Sequence, residues 1–441
     1  MDGRSIRTRR QWLAACGTAV GATTLAGCTG SDDETADDSD GSAPNGANDG
    51  DPSTENDSHT TVSNARWPMS RFTAGNRMVT DDWSGPDGPL EEGWTFETDD
   101  GVAVSGPVVD NGLVYVAAED SVLYALDAVT GDVEWEIDRT YPDAPPGADY
   151  PPTTPAISDD TIYFLTDELE AIDPDDGDRR WSVDLGSRSR EASDMRVYDG
   201  VVYVHTDGDL YAIDTETREI VWEGNADSTE DIAIGADGMF YVVRRTNNDH
   251  DYEVLGIDIS SAGTDWTYSP PGNVSSGFGL MVRDGTVYLH EMEKLLAIDG
   301  HTGDAEVRTE FEQTNTLVPT RGRAPTIADG IAYSAAPSRY PAVHAVELDT
   351  GNEPETWDSS ALETGPTGLR PFVSADTLYV WRGIGYVDIN ALDPKSGESR
   401  WSFDVRDHQD MVRGTVQGYT ILEDKIIYSI DGNYGVVGMV M

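Results

Sequence analysis

The chain has 441 residues, 82 acidic against 29 basic, with a formal net charge of -53 and two cysteines. Such a polyanion excludes nucleic acid and anionic lipid surfaces as direct partners, because their phosphates repel it. Self-repulsion on this scale disfavours a compact state in dilute buffer, whereas salt screens it with a Debye length of about 3 Å at 1 M. With lysine confined to Lys294, Lys395 and Lys425, the composition predicts a protein of an extreme halophile of archaeal type.

The N-terminal residues read as a targeting sequence outside the fold. Thr8-Arg9-Arg10-Gln11-Trp12-Leu13 resembles a twin-arginine export signal, with Arg9 and Arg10 as its pair. The apolar run that follows ends at Leu25, shorter than the roughly 20 residues needed to span a bilayer. Leu25-Ala26-Gly27-Cys28 resembles a lipobox, in which cleavage before Cys28 leaves that cysteine to carry a lipid. Residues 1–28 are therefore expected to be a signal peptide, with the lipid as the only membrane attachment, on the outer face of the cytoplasmic membrane. Cys16 leaves with the signal, so no intramolecular disulfide is expected. Residues 29–64 hold almost no apolar side chain and read as a charged, disordered tether. Asn56-Asp57-Ser58 and Asn273-Val274-Ser275 match the glycosylation acceptor.

Residues 65–441 form the expected folded domain. An irregular lead-in begins at Arg66-Trp67-Pro68-Met69 and ends in Gly93-Trp94-Thr95-Phe96-Glu97, a strand that has no partners before it. Val122–Trp135 then reads as strand, tight turn, strand: apolar residues alternate, Asp127 can accept turn N–H groups, Gly131 closes the turn and Trp135 anchors the return. The unit recurs with Asp173, Gly177 and Trp181, with Asp214 and Trp222 (Arg218 in the glycine slot), and with Asp393, Gly397 and Trp401. Three copies are degraded. Asp258 and Trp266 keep their distance but the glycine slips to Gly263. Asp299 and Gly303 precede Val307 in place of Trp. Glu347 and Gly351 precede Trp357, two residues late.

A second recurrent strand carries Tyr115, Tyr163, Tyr203, Tyr241, Tyr288, Tyr333, Tyr379 and Tyr428, between 38 and 49 residues apart. That period is the length of a four-stranded propeller blade. Eight units are counted. Thr415–Met441 supplies three strands and no Trp strand, so the strand around Trp94 is expected to complete the last blade and close the ring. The predicted fold is all-β, an eight-bladed propeller of four-stranded antiparallel blades.

Ala125-Asp127-Thr130-Gly131-Trp135, and again Ala391-Asp393-Gly397-Trp401, resemble the pyrroloquinoline-quinone (PQQ) repeat, and Trp67-Pro68-Met69-Ser70-Arg71 resembles the segment before the first blade in that group. The resemblance covers about residues 65–441. It implies one of two branches: PQQ-dependent dehydrogenases, or binding and scaffold propellers that include the BamB lipoproteins of bacterial outer-membrane assembly. The repeat's Asp, Gly and Trp are expected to serve turns and blade packing in either branch. The dehydrogenase branch implies a quinone in the central channel with Ca²⁺, an Asp base and often a vicinal disulfide. This chain has no Cys-Cys pair, and its inter-motif stretches are short.

Other chemistry is hard to place. His290-Glu291-Met292-Glu293-Lys294 has Lys where a zinc helix needs its second His. Asp173-Pro174-Asp175-Asp176-Gly177 lacks the Glu of a calcium loop. No phosphate loop or nucleophile elbow is present. The stretches left for recognition are the proline-rich Tyr141–Pro155, the arginines Arg188, Arg190 and Arg196, Arg321 and Arg323, Arg339-Tyr340-Pro341, the late Arg370, Arg382, Arg406 and Arg413, and the hairpin tip Asn247–Asp251. No catalytic or metal residue is assigned. The expectation is a monomeric, exported, lipid-anchored propeller that binds a protein or peptide at the cell surface, without cofactor. The alternatives are a quinoprotein oxidoreductase using PQQ with Ca²⁺, and a surface solute- or polysaccharide-binding protein. The charge makes one prediction directly: the melting temperature followed by circular dichroism should rise from dilute buffer to molar KCl, and an unchanged value would contradict the halophile reading.

Overall fold

The computed structural model describes residues 66–98, 102–119, 121–139, 153–166, 168–185, 194–206, 209–225, 229–246, 252–261, 263–270, 279–291, 294–310, 324–335, 343–358, 371–382, 388–404, 416–430 and 435–441. These residues form eight antiparallel sheets. The first blade shows the plan. Strand β2 (Val108–Asp110) lies innermost, followed by β3 (Leu113–Ala117), β4 (Val122–Asp127) and β5 (Val133–Asp138) at the rim. The inner three strands are almost wholly buried, and the rim strand is mostly exposed. First strands of successive blades lie side by side around a central channel.

The eighth blade is built from both ends of the chain. Strands β29 (Val416–Ile421), β30 (Lys425–Ile430) and β31 (Gly435–Val440) are joined by β1 (Glu91–Glu97) at the rim, with Trp94 opposite Gly438. The ring then closes between this blade and the first. Thr420 Oγ1 donates to the Pro107 carbonyl at 2.7 Å. Gly418 and Gly106 meet so closely that a Cβ on Gly418 would lie 2.5 Å from the Gly106 Cα.

The tryptophans of the rim strands reach out of their own blades. Each lies opposite a small residue of the adjoining strand: Trp135 opposite Ala125, Trp181 opposite Ala171, Trp222 opposite Ala212, Trp266 opposite Gly256, Trp401 opposite Ala391. At Trp94, Trp135 and Trp266 the indole N–H then donates to the residue after the turn aspartate of the next blade. Trp94 reaches the Ala128 carbonyl at 3.2 Å, Trp135 the Pro174 carbonyl at 2.9 Å and Trp266 the Gly300 carbonyl at 2.7 Å. Gly131, at φ 76°, is covered by the Trp94 ring, and a Cβ there would stand 2.5 Å from it. Tyr115, Tyr163, Tyr241, Tyr333 and Tyr379 pack against the tryptophans of their own blades.

The sixth blade departs from the expected four strands. Among the described residues it has three: β22 (Thr326–Ala328), β23 (Ile331–Ala335) and β24 (Val343–Glu347). The stretch that should return as a fourth strand contains Pro354, which has no N–H to give a ladder. It crosses instead to the seventh blade, where Asp358 N donates to the Ser396 carbonyl at 2.8 Å and Thr356 Oγ1 to Lys395 at 2.9 Å. Trp357 still reaches the neighbouring turn at Gly397.

All first-to-second and third-to-fourth strand turns lie at one end of the ring, where Ala128 N bonds Gly112 O and Gly300 N bonds Gly285 O. This is the turn face. The blade-to-blade connections and second-to-third connections leave at the opposite face. Trp94→Ala removes the docking indole of the closing strand and should cost about 3–5 kcal/mol, measured by denaturant unfolding in molar KCl; a loss below 1 kcal/mol, the usual range for a surface substitution, would contradict closure by β1.

Candidate functional site

The lead-in occupies the centre of the ring. Trp67 pairs backbone to backbone with Val109 on the first strand of blade one, at 2.8 Å in both directions. Ile157 of blade two donates to Pro68 O, Ile234 of blade four to Ala74 O, and Val282 of blade five to Gly75 O. Val79 forms a parallel bridge with Val373 of blade seven, and Trp67 packs against Tyr419 of blade eight. Residues 66–80 therefore form a hairpin spanning the channel. Gly75 is required by this approach, since a Cβ would stand 2.9 Å from the Val282 carbonyl. Arg71, Phe72, Asn76 and Met78 all take positive φ, from 49° to 69°, a conformation that persists only where surrounding contacts impose it.

Polar groups at the hairpin tip are matched to blades three to five. Asn76, fully buried, donates to the carbonyls of Ile232 at 2.8 Å and Leu280 at 3.1 Å, and accepts from Arg196 Nε at 2.8 Å. Arg196, also fully buried, binds Asp194 through Nη2 at 2.9 Å and the Met195 carbonyl at 2.7 Å. Arg71 pairs with Asp231, which also accepts the amides of Ile232 at 2.9 Å and Leu280 at 2.7 Å. Burial alone would push the Asp194 carboxyl up, but Arg196 and Arg71 outweigh it and hold it below its ordinary value. Burial works against the Arg71 guanidinium, yet Asp231 and Asp194 raise its pKa.

These residues do not fit a calcium-bound quinone. Among the described residues, the channel arginines Arg71 and Arg196, which could meet the carboxylates of PQQ, are committed to Asp194, Asp231 and Asn76. Among the described residues no three His, Cys, Asp or Glu side chains converge as a metal site.

The repeat residues lie at the turn face. Asp127 Oδ1 accepts the amides of Val129 and Thr130, both at 2.8 Å. Asp214, Asp299 and Asp393 do the same for the two amides at the same offsets, while Asp173 and Asp258 each take one. The amides of Thr302 and His301 lower the Asp299 pKa, and a hydrogen bond from Arg180 lowers that of Asp173. Arg218 holds φ 61° in its glycine slot. Arg196, read from sequence as part of a basic island, is instead buried in the channel network, because Asp194 and Asn76 neutralise and bind it there. His290 lies on a strand, with Nε2 2.7 Å from Ser334 Oγ. Cys28, Arg9, Arg10, Asn56, Asn273, the Asn247–Asp251 tip and the arginines 188, 190, 321, 323, 339, 370, 406 and 413 lie outside the described residues.

Sequence reasoning missed Asn76 and Pro86. Gly75-Asn76 carries a local turn signal, but nothing local says which carbonyls Asn76 meets. Blade eight has no third-to-fourth turn, because the two strands that would flank it are β31 and β1, from opposite ends of the chain. The Pro86 carbonyl takes the place of that turn, accepting Trp401 Nε1 at 3.1 Å and Tyr379 OH at 2.9 Å.

An eight-bladed ring whose blades share a small-residue, Asp, Gly and Trp repeat defines a PQQ-repeat propeller. Within that class, the chain belongs to the family described as outer membrane protein assembly factor BamB, whose model matches residues 83–199 and 166–403. It is 24% identical over 306 residues to BamB of Yersinia pestis, covering 64% of this chain and 70% of that one. With BamB of Moranella endobia it shares 23% over 209 residues, 43% of this chain and only half the length of the relative. The quinohemoprotein alcohol dehydrogenase of Comamonas testosteroni has the same fold, with a TM-score of 0.55 at 14% identity over 85% of this chain and 80% of that one.

Two substitutions test the channel network. Asp231→Ala strands Arg71 and the Leu280 amide and should destabilise by about 3–5 kcal/mol. Asp194 contributes stability that is complete above the unfolded-state carboxyl pKa of about 3.9 and is lost as pH falls through its lower folded value. Asp194→Asn should therefore flatten the acid side of the stability profile; an unchanged acid limb would remove Asp194 from the network.

Proposed function

We propose that this protein is a non-enzymatic binding or scaffold propeller, exported by the twin-arginine route and held at the outer face of the cytoplasmic membrane through a lipid on Cys28, where it engages a protein or peptide. The observation that carries the reading is the channel hairpin. The space a quinone branch would use is spanned by the protein's own chain, and the described ionisable groups at the hairpin tip, Arg71, Asp194, Arg196 and Asp231, are paired with one another. Family membership with an assembly factor supports a protein partner. The bacterial assembly role is not transferred, because composition points to a halophile of archaeal type.

Two measurements separate this reading from the quinoprotein alternative. Cross-linking of the intact, membrane-held protein followed by mass spectrometry should return a specific protein partner. Titration with PQQ and Ca²⁺ in molar salt should give no saturable binding and no dye-linked oxidation of alcohols or sugars. Saturable binding with turnover would overturn the scaffold reading in favour of the oxidoreductase.

A further inference from the structure

We infer that the ring has one weak seam, between blades five and six, and that it parts there by local opening while the other seams stay closed. Proteins open locally where few buried apolar contacts must be broken, below the free energy of global unfolding. This seam is thinly tied at the rim, between the sheets and at the axis.

At the rim, Trp94, Trp135, Trp181, Trp222, Trp266, Trp357 and Trp401 serve the other seven blades, and Val307 stands in the fifth. The side chain of Val307 is 43% exposed. In β21 (Ala305–Glu310) the bulge falls at Arg308, after Val307, whereas in β5 it falls at Glu134, before Trp135. The Arg308 carbonyl therefore lies against Gly351, where an indole lies at Gly131 and Gly303. Arg308 Nε is buried there without a hydrogen-bond partner, which costs free energy only while the seam is closed. The missing indole also uncovers its own blade. Tyr288 is partly exposed, while Tyr115, Tyr163, Tyr203, Tyr241, Tyr333 and Tyr379 are buried.

Between the sheets, His290 Nε2 lies 2.7 Å from Ser334 Oγ, and both side chains are buried. His290 follows Tyr288 by two residues, as Trp381 follows Tyr379 at the seventh blade, where Trp381 packs on Tyr428 at 5.7 Å. Water replaces a hydrogen bond when a seam opens, so such a bond holds little; a buried ring loses its whole apolar contact. The apolar cluster across this seam consists of Met281, Leu295, Ala324, Ile327 and Ala332. Across the first and second blades the cluster is larger and includes Tyr115, Ile137 and Phe164.

At the axis, the lead-in bonds Val282 of blade five through Gly75 and Val373 of blade seven through Met78 and Thr80. Among the described residues it makes no backbone bond to blade six. Arg283 Nη1 does reach the Ile327 carbonyl at 3.1 Å, from a side chain 29% exposed. Blade six is better fastened on its other side. Tyr333 OH donates to the Pro394 carbonyl at 2.6 Å, Asp358 N to Ser396, and Trp357 lies over Gly397. Opening therefore separates blade six from blade five and leaves it joined to blade seven.

The test is thiol labelling of the folded, full-length protein in molar KCl, with Cys16→Ser and Cys28→Ser as background. Met281→Cys and Ala332→Cys place single thiols on the two sides of the seam; Ala117→Cys and Ile162→Cys do the same between blades one and two. All four positions are buried. Labelling at the first pair should be about tenfold faster than at the second and insensitive to low urea, as local opening requires. Rates no faster than the control pair, or rates that follow each variant's global unfolding measured by circular dichroism, overturn the inference. Each seam carries a probe on both sides, so a variant that fails to fold leaves its counterpart to decide.

Discussion

Neighbouring blades are joined by tryptophans that leave their own sheets, as Trp94, Trp135, Trp266 and Trp357 do, whereas the fifth blade carries Val307 in that place. At Trp94, Trp135 and Trp266 the indole lies over a small residue of its own blade, covers the closing glycine of the neighbour, and donates to the carbonyl beyond the neighbour's aspartate. The aspartate makes that carbonyl available by holding its turn with its own carboxylate. Turn and anchor are therefore two halves of one contact. The sixth blade loses its fourth strand and keeps the ring contact, with Trp357 over Gly397. The eighth loses the turn and borrows a carbonyl from Pro86.

Closing such a ring leaves a channel, and the inner strands present backbone groups to it. In this protein the lead-in answers those groups. It bonds blades one, two, four, five and seven through its backbone, blade three through Asn76 and Arg196, and blade eight through the Trp67 ring. The positive φ angles at Arg71, Phe72, Asn76 and Met78 are the conformational cost of fitting a hairpin among converging strands. The pairs Arg71–Asp231 and Arg196–Asp194 each bury one partner with its hydrogen bonds satisfied, the condition under which buried charge is tolerated.

The same arrangement bears on function. Among the described residues, Arg71 and Arg196 at the hairpin tip are paired with Asp231 and Asp194. The two faces are not equivalent: one carries the short acidic turns and the chain's own entry point, the other the connections between blades.

Blade number, strand order and rim anchors were legible in the sequence because each depends on residues close together: Asp127 with Gly131 and Trp135, or Tyr115 with the strand around it. Closure by the strand at Trp94 was legible as well, since one end of the chain had a strand in excess and the other lacked one. The three-stranded sixth blade was only hinted at by the late Trp357, because Pro354 acts by withholding a single ladder donor. The burial of Arg196 was misread, since its partner Asn76 lies 120 residues away. The hairpin in the channel belongs to tertiary structure altogether. Asn76 reaches Leu280 across 204 residues and Pro86 reaches Trp401 across 315. No local spacing encodes those distances; they exist only once eight blades have closed and their inner strands converge on one axis.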